Sequence, residues 1–191
     1  NADVLRERGL EFEKAYLEYL KEKGSHITVP TEETEEKGYE RTLSDMKNGV
    51  DYIYQARLEM DAWGGTADFL KRIDRPSSLG NWSYEVIDTK LARETKAGAI
   101  LQLCLYSQVI EHIQVVLPEH IHVVAPGEDT FLPTSYRTED YLAYHRLMQR
   151  RLQDQLAAKP NLYPEPVSHC DICRWWQVCD KRRRLDDHLS L

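Results

Sequence analysis

Asp88 and Lys90 are an acid and an amine one residue apart, at the end of the otherwise apolar run Tyr84-Glu85-Val86-Ile87-Asp88-Thr89-Lys90. In a strand, Tyr84, Val86, Asp88 and Lys90 share one face, while Glu85, Ile87, Thr89 and Leu91 take the other. The two charges then stand about 7 Å apart at the backbone, a cost in stability unless they serve each other or a bound ion. A D-x-K tripeptide alone is a weak signal, but its neighbours strengthen it. The run Gly64-Gly65-Thr66-Ala67-Asp68-Phe69-Leu70 sets a single acid in a short apolar strand after a glycine pair, and a turn brings that strand back beside the one carrying Asp88. Downstream, Gln102 and Tyr106 are four apart in a helical pattern and share a face. Carboxylates are the hard-oxygen ligands of magnesium and manganese, and such an ion offsets the charge that develops in phosphodiester hydrolysis and acidifies the attacking water. Asp68 and Asp88 are the candidate ligands, with Glu13 and the backbone carbonyl of Thr89 as further ones. Lys90 is placed to orient or activate the water, and Gln102 and Tyr106 to position substrate or Lys90.

The elements that must carry these residues follow from the apolar pattern. Residues 4–23 repeat leucine and aromatic side chains at helical spacing and stop at Gly24, which predicts an amphipathic helix. Glu13 falls among Phe12, Tyr16 and Leu17 near its buried edge; a solvated flank is the plain reading, and a ligand the alternative if the site lies beneath the helix. Residues 26–30 read as a short strand and 31–48 as a polar helix capped by Thr31 or Thr34 and stopped by Gly49. The β-branched and aromatic run 50–60 reads as a strand that Trp63-Gly64-Gly65 turns into the strand of Asp68. With a loop over 74–81, three consecutive antiparallel strands are expected. A helix over 97–111, a hairpin of 113–117 and 120–125 around Pro118-Glu119, and a long charged helix over 138–159 capped by Thr138 complete the order. The expectation is an α/β (α+β) domain with a mixed sheet flanked by helices.

The 191 residues suffice for one well-buried core with an appendage, divided as a core over 1–160 and a cysteine-rich tail over 161–191. No run approaches the roughly 18 apolar residues of a membrane span, and no signal-peptide pattern opens the chain, so a cytoplasmic protein with no membrane partner is expected. The chain opens on Asn1 and closes on DDHLSL, and reads as a piece of a longer protein. A net charge of -7 argues against indiscriminate coating of nucleic acid. It leaves room for a local groove, since basic residues cluster at Lys71-Arg72, Arg150-Arg151 and 181–184, each of which by itself reads as a solvated face. A glutamate-rich run covers 32–36. Trp63, Trp82 and Trp175 are candidates to stack on unpaired bases, with core packing the ordinary role for each.

Of the 4 cysteines, Cys104 sits among leucines in a helical pattern and reads as a small buried apolar residue. Cys170, Cys173 and Cys179 form a C-x-x-C-x-x-x-x-x-C array after a proline-rich turn, and three thiols so close suggest metal ligation. His169 or His188 completes the shell of a zinc ion; an iron-sulfur cluster needs a cysteine from elsewhere.

In this order GGTADFL, YEVIDTK, QLCLY and the cysteine array resemble the RecB-type branch of the PD-(D/E)XK nucleases. The chain is similar in particular to its iron-sulfur members: CRISPR-associated RecB-like exonucleases, the AddB nuclease domain, and RecB-like domains fused to helicases. The resemblance runs from Gly9 to the end. It implies a restriction-endonuclease-like core with a C-terminal staple made by a 4Fe-4S cluster on Cys170, Cys173 and Cys179. It also implies a magnesium- or manganese-dependent nuclease acting on DNA, as a single-strand exonuclease beside a helicase. Asp68 matches the first acid, with Ala67 in place of the usual proline; Asp88 and Lys90 match the second acid and the lysine; Gln102 and Tyr106 match the Q-x-x-x-Y helix. Glu13 stands where relatives carry a histidine or glutamate after a glycine. In those relatives one cluster cysteine precedes the core, whereas here no cysteine precedes Cys104. The alternatives are a catalytically silent DNA-binding module of a helicase complex, and a CRISPR spacer-trimming exonuclease.

Overall fold

The computed structural model describes residues 2–31, 34–92, 94–127, 131–158 and 163–189. Within these the residues cluster into two compact units, Asp3–Met148 and a smaller one drawn chiefly from Gln149–Leu191.

The larger unit is a mixed α/β fold. Helix α1 (Ala2–Glu22) is followed by β1 (Ile27–Thr28), α2 (Glu35–Asn48), β2 (Tyr52–Met60), β3 (Trp63–Ile73), β4 (Ser83–Thr89), α3 (Ala97–Gln114), β5 (His120–Val124), β6 (Thr134–Arg137) and α4 (Glu139–Ala158), within which the unit ends. The six strands form one sheet in sequence order. β2, β3 and β4 are antiparallel neighbours, as expected, while β1 joins β2 and β5 joins β4 in parallel. Every residue of β4 is buried, which is what a strand covered on both faces requires. Its neighbours Val86 and Ile87 enter different cores. Val86 joins Met46 of α2 and Ile100, Leu103 and Ile110 of α3, whereas Ile87 joins Tyr16, Leu17 and Leu20 of α1 with Phe69. Consecutive strand residues point to opposite faces, so α1 covers one side of the sheet and α2 with α3 the other.

α2 begins at Thr34, whose hydroxyl accepts the Lys37 N–H at 3.4 Å, and ends on Gly49 at φ 67°; part of the glutamate-rich run, residues 32 and 33, lies outside the described residues. Three local expectations change. The β2–β3 turn is Asp61-Ala62, with Asp61 at φ 52°, and Trp63 already pairs with Met60. A two-residue hairpin loop with left-handed backbone matches the strand twist, so the glycine pair is free to serve inside the strand. Residues 113–117 do not form a hairpin with β5. α3 continues to Gln114, whose side chain accepts the Tyr84 N–H at 2.7 Å and donates to Tyr84 O at 3.2 Å; β5 takes β6 as its antiparallel partner. Helix packing of Ile110 and Ile113 outweighs the strand propensity of that run. Thr138 does not cap α4 with its side chain: Oγ1 is buried without a hydrogen-bond partner, and the residue is tied instead by its N–H to Glu119 O at 2.9 Å. The expected helix end at Lys159 lies outside the described residues.

The smaller unit carries a short 3-10 helix (Ser168–Ile172) and α5 (Trp176–Leu185). Arg183, expected on a solvated face, is 2% exposed, with its guanidinium 4.9 Å from the Trp176 ring centroid. The attraction of a cation to an aromatic face, about 2 kcal/mol when desolvated, offsets part of the cost of burying the guanidinium. Trp175, expected in a core, is 57% exposed. Trp82 does pack as expected, donating its indole N–H to Met46 O at 2.9 Å. No helix among the described residues is long and apolar enough to cross a membrane.

Candidate active site

The acids meet at the carboxyl end of β4, beside its parallel neighbour β5. In open sheets, side chains and ligands gather at such ends. The Lys90 N–H donates to Val124 O at 2.9 Å, which pins the residue just past the strand. Its ammonium donates to Asp88 Oδ1 at 3.1 Å and lies 2.8 Å from Oδ2 as an ion pair, yet Oδ2, buried, accepts no hydrogen bond. Asp68, opposite on β3, takes both the N–H and the hydroxyl of Thr89 on Oδ2 at 2.7 Å. Thr89 thus enters the site through its donors, where the sequence points only to its carbonyl.

α1 delivers Glu13, which is 7% exposed and so no solvated flank. Burial first, and then the charge of Asp68, hold its carboxyl above the usual glutamate range. Burial and the same Asp68 charge push Asp88 up to about 6, against the opposing pull of Lys90. Burial by itself would depress Lys90, but the hydrogen bond and charge of Asp88, with Asp68, outweigh it, and the ammonium is held above its ordinary value. Three carboxylates around one cation leave an excess of buried negative charge, which raises acid pKa values in just this way.

Gln102 and Tyr106 also come together. Gln102 Nε2 donates to the Tyr106 hydroxyl at 3.0 Å, which donates to Thr66 O at 3.1 Å. The phenol therefore braces β3 two residues before Asp68. This explains Gly65: a Cβ there would lie 2.7 Å from the Tyr106 oxygen. A cleft of about 360 Å³ opens next to Lys90 and Gln102, lined further by Ala92, Glu94, Lys96 and Ala99.

Two residues near the acids escape the sequence reading. Gln55 of β2 donates its side-chain amide to Glu13 Oε1, and the Tyr54 hydroxyl favours the ionised form of the same carboxylate. The available signal is a break in alternation, because Ile53 and Ala56 are both apolar and three apart. Away from the site, buried Glu85 receives His122 Nε2 at 2.6 Å and the His120 N–H at 3.0 Å, while His122 Nδ1 meets Ser135 Oγ at 2.8 Å. That chain ties β4, β5 and β6 together and was not legible from spacing.

Cys104 is fully buried and its thiol is pushed up to about 11 by burial, consistent with a packing role. Cys170, Cys173 and Cys179 lie in the smaller unit, each half-buried, and Cys170 Sγ accepts the Val167 N–H at 3.3 Å. Among the described residues no three His, Cys, Asp or Glu side chains stand together in ready ligand geometry, either here or at the acids. A comparison with protein-family models found no match, and a comparison with curated proteins found no similar chain.

Proposed function

We propose that the chain is a metal-dependent DNA nuclease with a restriction-endonuclease-like, RecB-type core, hydrolysing phosphodiester bonds of single strands from an end and acting beside a helicase. The observation that carries the reading is the gathering of Glu13, Asp68 and Asp88 about Lys90, with buried Asp88 answered by that one ammonium. A donor set of crowded carboxylates, with Glu13 and Asp88 held above their ordinary pKa values, fits a hard divalent cation.

Magnesium or manganese, when bound, acidifies a water molecule and offsets phosphate charge. Asp68, Asp88 and Glu13 are the residues to hold it, with the Thr89 carbonyl as a further ligand. Lys90, beside Asp88, is placed to orient or activate the water and to offset phosphate charge. Asp88 fixes the position of that ammonium. Gln102 and Tyr106 keep β3, and so Asp68, in place, and the cleft between Lys90 and Lys96 is where a phosphodiester approaches. The direction of digestion, the single-strand preference and the helicase rest on the family resemblance.

The thiols of Cys170, Cys173 and Cys179 suit soft metal chemistry, and we assign them to a structural 4Fe-4S cluster, or to zinc with His169 or His188, that staples the smaller unit. No catalytic step passes through it. Digestion of end-labelled single-stranded and duplex DNA in magnesium, in manganese and in chelator tests the function. Cation-dependent release of label supports it; folded protein that binds DNA without cutting under any of these conditions supports the silent module instead.

A further inference from the structure

β2 and β3 pair in register from Tyr52 with Lys71 to Tyr54 with Phe69, and resume at Ala56 with Ala67. Gln55 and Asp68 therefore face each other across a gap in the ladder. Ile53 and Ala56 both join the larger core, as do Ala67 and Leu70, although residues three apart on an unbroken strand point to opposite faces. The register is the same on either side, so both strands shift phase together at this one pair.

Gln55 absorbs the shift with a φ of 49°. Glycine enters that left-handed region freely, whereas a side chain is strained there. Two contacts hold the glutamine in it. Its diverted carbonyl accepts Arg41 Nη2 at 3.0 Å, and Arg41 is itself set by Asp45 at 3.4 Å, which also takes the Thr28 hydroxyl at 2.7 Å. Its side-chain amide reaches across to α1 and donates to Glu13 Oε1.

We propose that Gln55 is a positioning residue of the acid cluster: the strained backbone aims its amide at Glu13 and fixes that carboxylate on its helix, on the side of Asp68, as a ligand for a divalent cation. Unlike Asp61 in the hairpin turn and Val115 at the end of α3, Gln55 holds its positive φ inside a strand, and such strain persists only where the surrounding structure over-determines it, as it does at ligand sites. The inference rests on reading the three acids as a cation site. A partner that orients a metal ligand without touching the metal is worth roughly 10–100-fold in affinity.

Glycine at this position separates positioning from folding. Gln55→Gly relieves the backbone and removes the amide, so it should melt no lower than wild type while binding Mn2+ about 10–100-fold more weakly. Gln55→Asn tolerates the left-handed backbone but is one methylene short of Glu13, and should show the same loss. In a Glu13→Gln background, Gln55→Gly should add little, because the coupling is to that carboxylate. The measurement is Mn2+ titration of the full chain by calorimetry, with Asp68→Asn as control. If wild type binds, Asp68→Asn does not, and Gln55→Gly binds like wild type, the positioning role is overturned and the cation site stands. If Gln55→Gly loses affinity only with a matching fall in melting temperature, and Gln55→Asn binds like wild type, the role is structural and the proposal fails. If wild type takes up no Mn2+, the reading of the acids falls and this inference with it.

Discussion

The Lys90 ammonium stands 2.8 Å from Asp88 Oδ2, on a carboxylate that is only 4% exposed and still carries a pKa raised to about 6. An ion pair ordinarily lowers the acid's pKa. Burial and the nearby charge of Asp68 outweigh Lys90, so the cluster as a whole holds more negative charge than its one amine satisfies.

That balance sets a pH dependence. The folded pKa of Asp88 lies above the ordinary 3.8, so without metal its contribution to stability is greatest below about 4 and is lost as pH rises through about 6. A divalent cation competes with the proton for the same oxygens. Thermal stabilisation by millimolar Mn2+ should therefore be small at pH 5 and grow through pH 6 to a plateau near 7 to 8. Melting curves with and without Mn2+ at each pH check this, and a shift independent of pH would count against a cation at Asp88.

Gly65 and Tyr106 should be coupled. Gly65→Ala places a methyl group within 3 Å of the phenol, displacing the brace at Thr66, and should cost about 1–3 kcal/mol of stability. Tyr106→Phe removes one hydrogen bond to Thr66 O, and about 1 kcal/mol is expected. In the double variant the two costs should fall short of their sum, since each acts on the same contact. Urea denaturation of the four proteins gives the answer.

His122 holds a buried carboxylate away from the site. Burial alone would raise the pKa of Glu85, but the His122 hydrogen bond and the His120 N–H more than reverse it, leaving it below 4.5. The stability it contributes is present above about 4.5 and is lost as pH falls through the depressed value. His122→Ala leaves that carboxylate with the His120 N–H alone, and a loss of roughly 1.5–3 kcal/mol is expected, the scale of one hydrogen bond to a charged group. Chemical denaturation measures it; a loss under 1 kcal/mol would show that the pair adds little to the β4–β5 backbone ladder.

For the tail, Cys173→Ser should lower the melting temperature of protein purified without air and abolish its bound iron or zinc, measured by elemental analysis. Equal melting and equal metal content in the variant would remove the staple from the account.

The placement of the candidate motifs is legible in the sequence because each depends on a fixed local spacing. Asp88 with Lys90, Asp68 after a glycine pair, and Gln102 with Tyr106 all fall in elements whose type periodicity predicts. Glu13 was visible only as an acid near a buried edge, since nothing in a helix reveals what lies across from it. Gln55 and the Glu85–His122 pair depend on which strands become neighbours, information that resides in the topology. The run 113–117 predicts a strand where α3 continues for the related reason that β-branched residues fit a strand and a buried helix end equally well until packing decides between them.

The central claim is that Asp88 and Lys90 serve cation-dependent cleavage of DNA. The most direct measurement is the rate of digestion of end-labelled single-stranded DNA in Mn2+ by wild type, Asp88→Ala and Lys90→Ala, with folding of each verified by circular dichroism. The account predicts cutting by wild type that is abolished by chelator, and a loss of at least about 100-fold in both variants, the scale of removing a general acid-base or charge-stabilising group. Wild-type rates in either folded variant would contradict it.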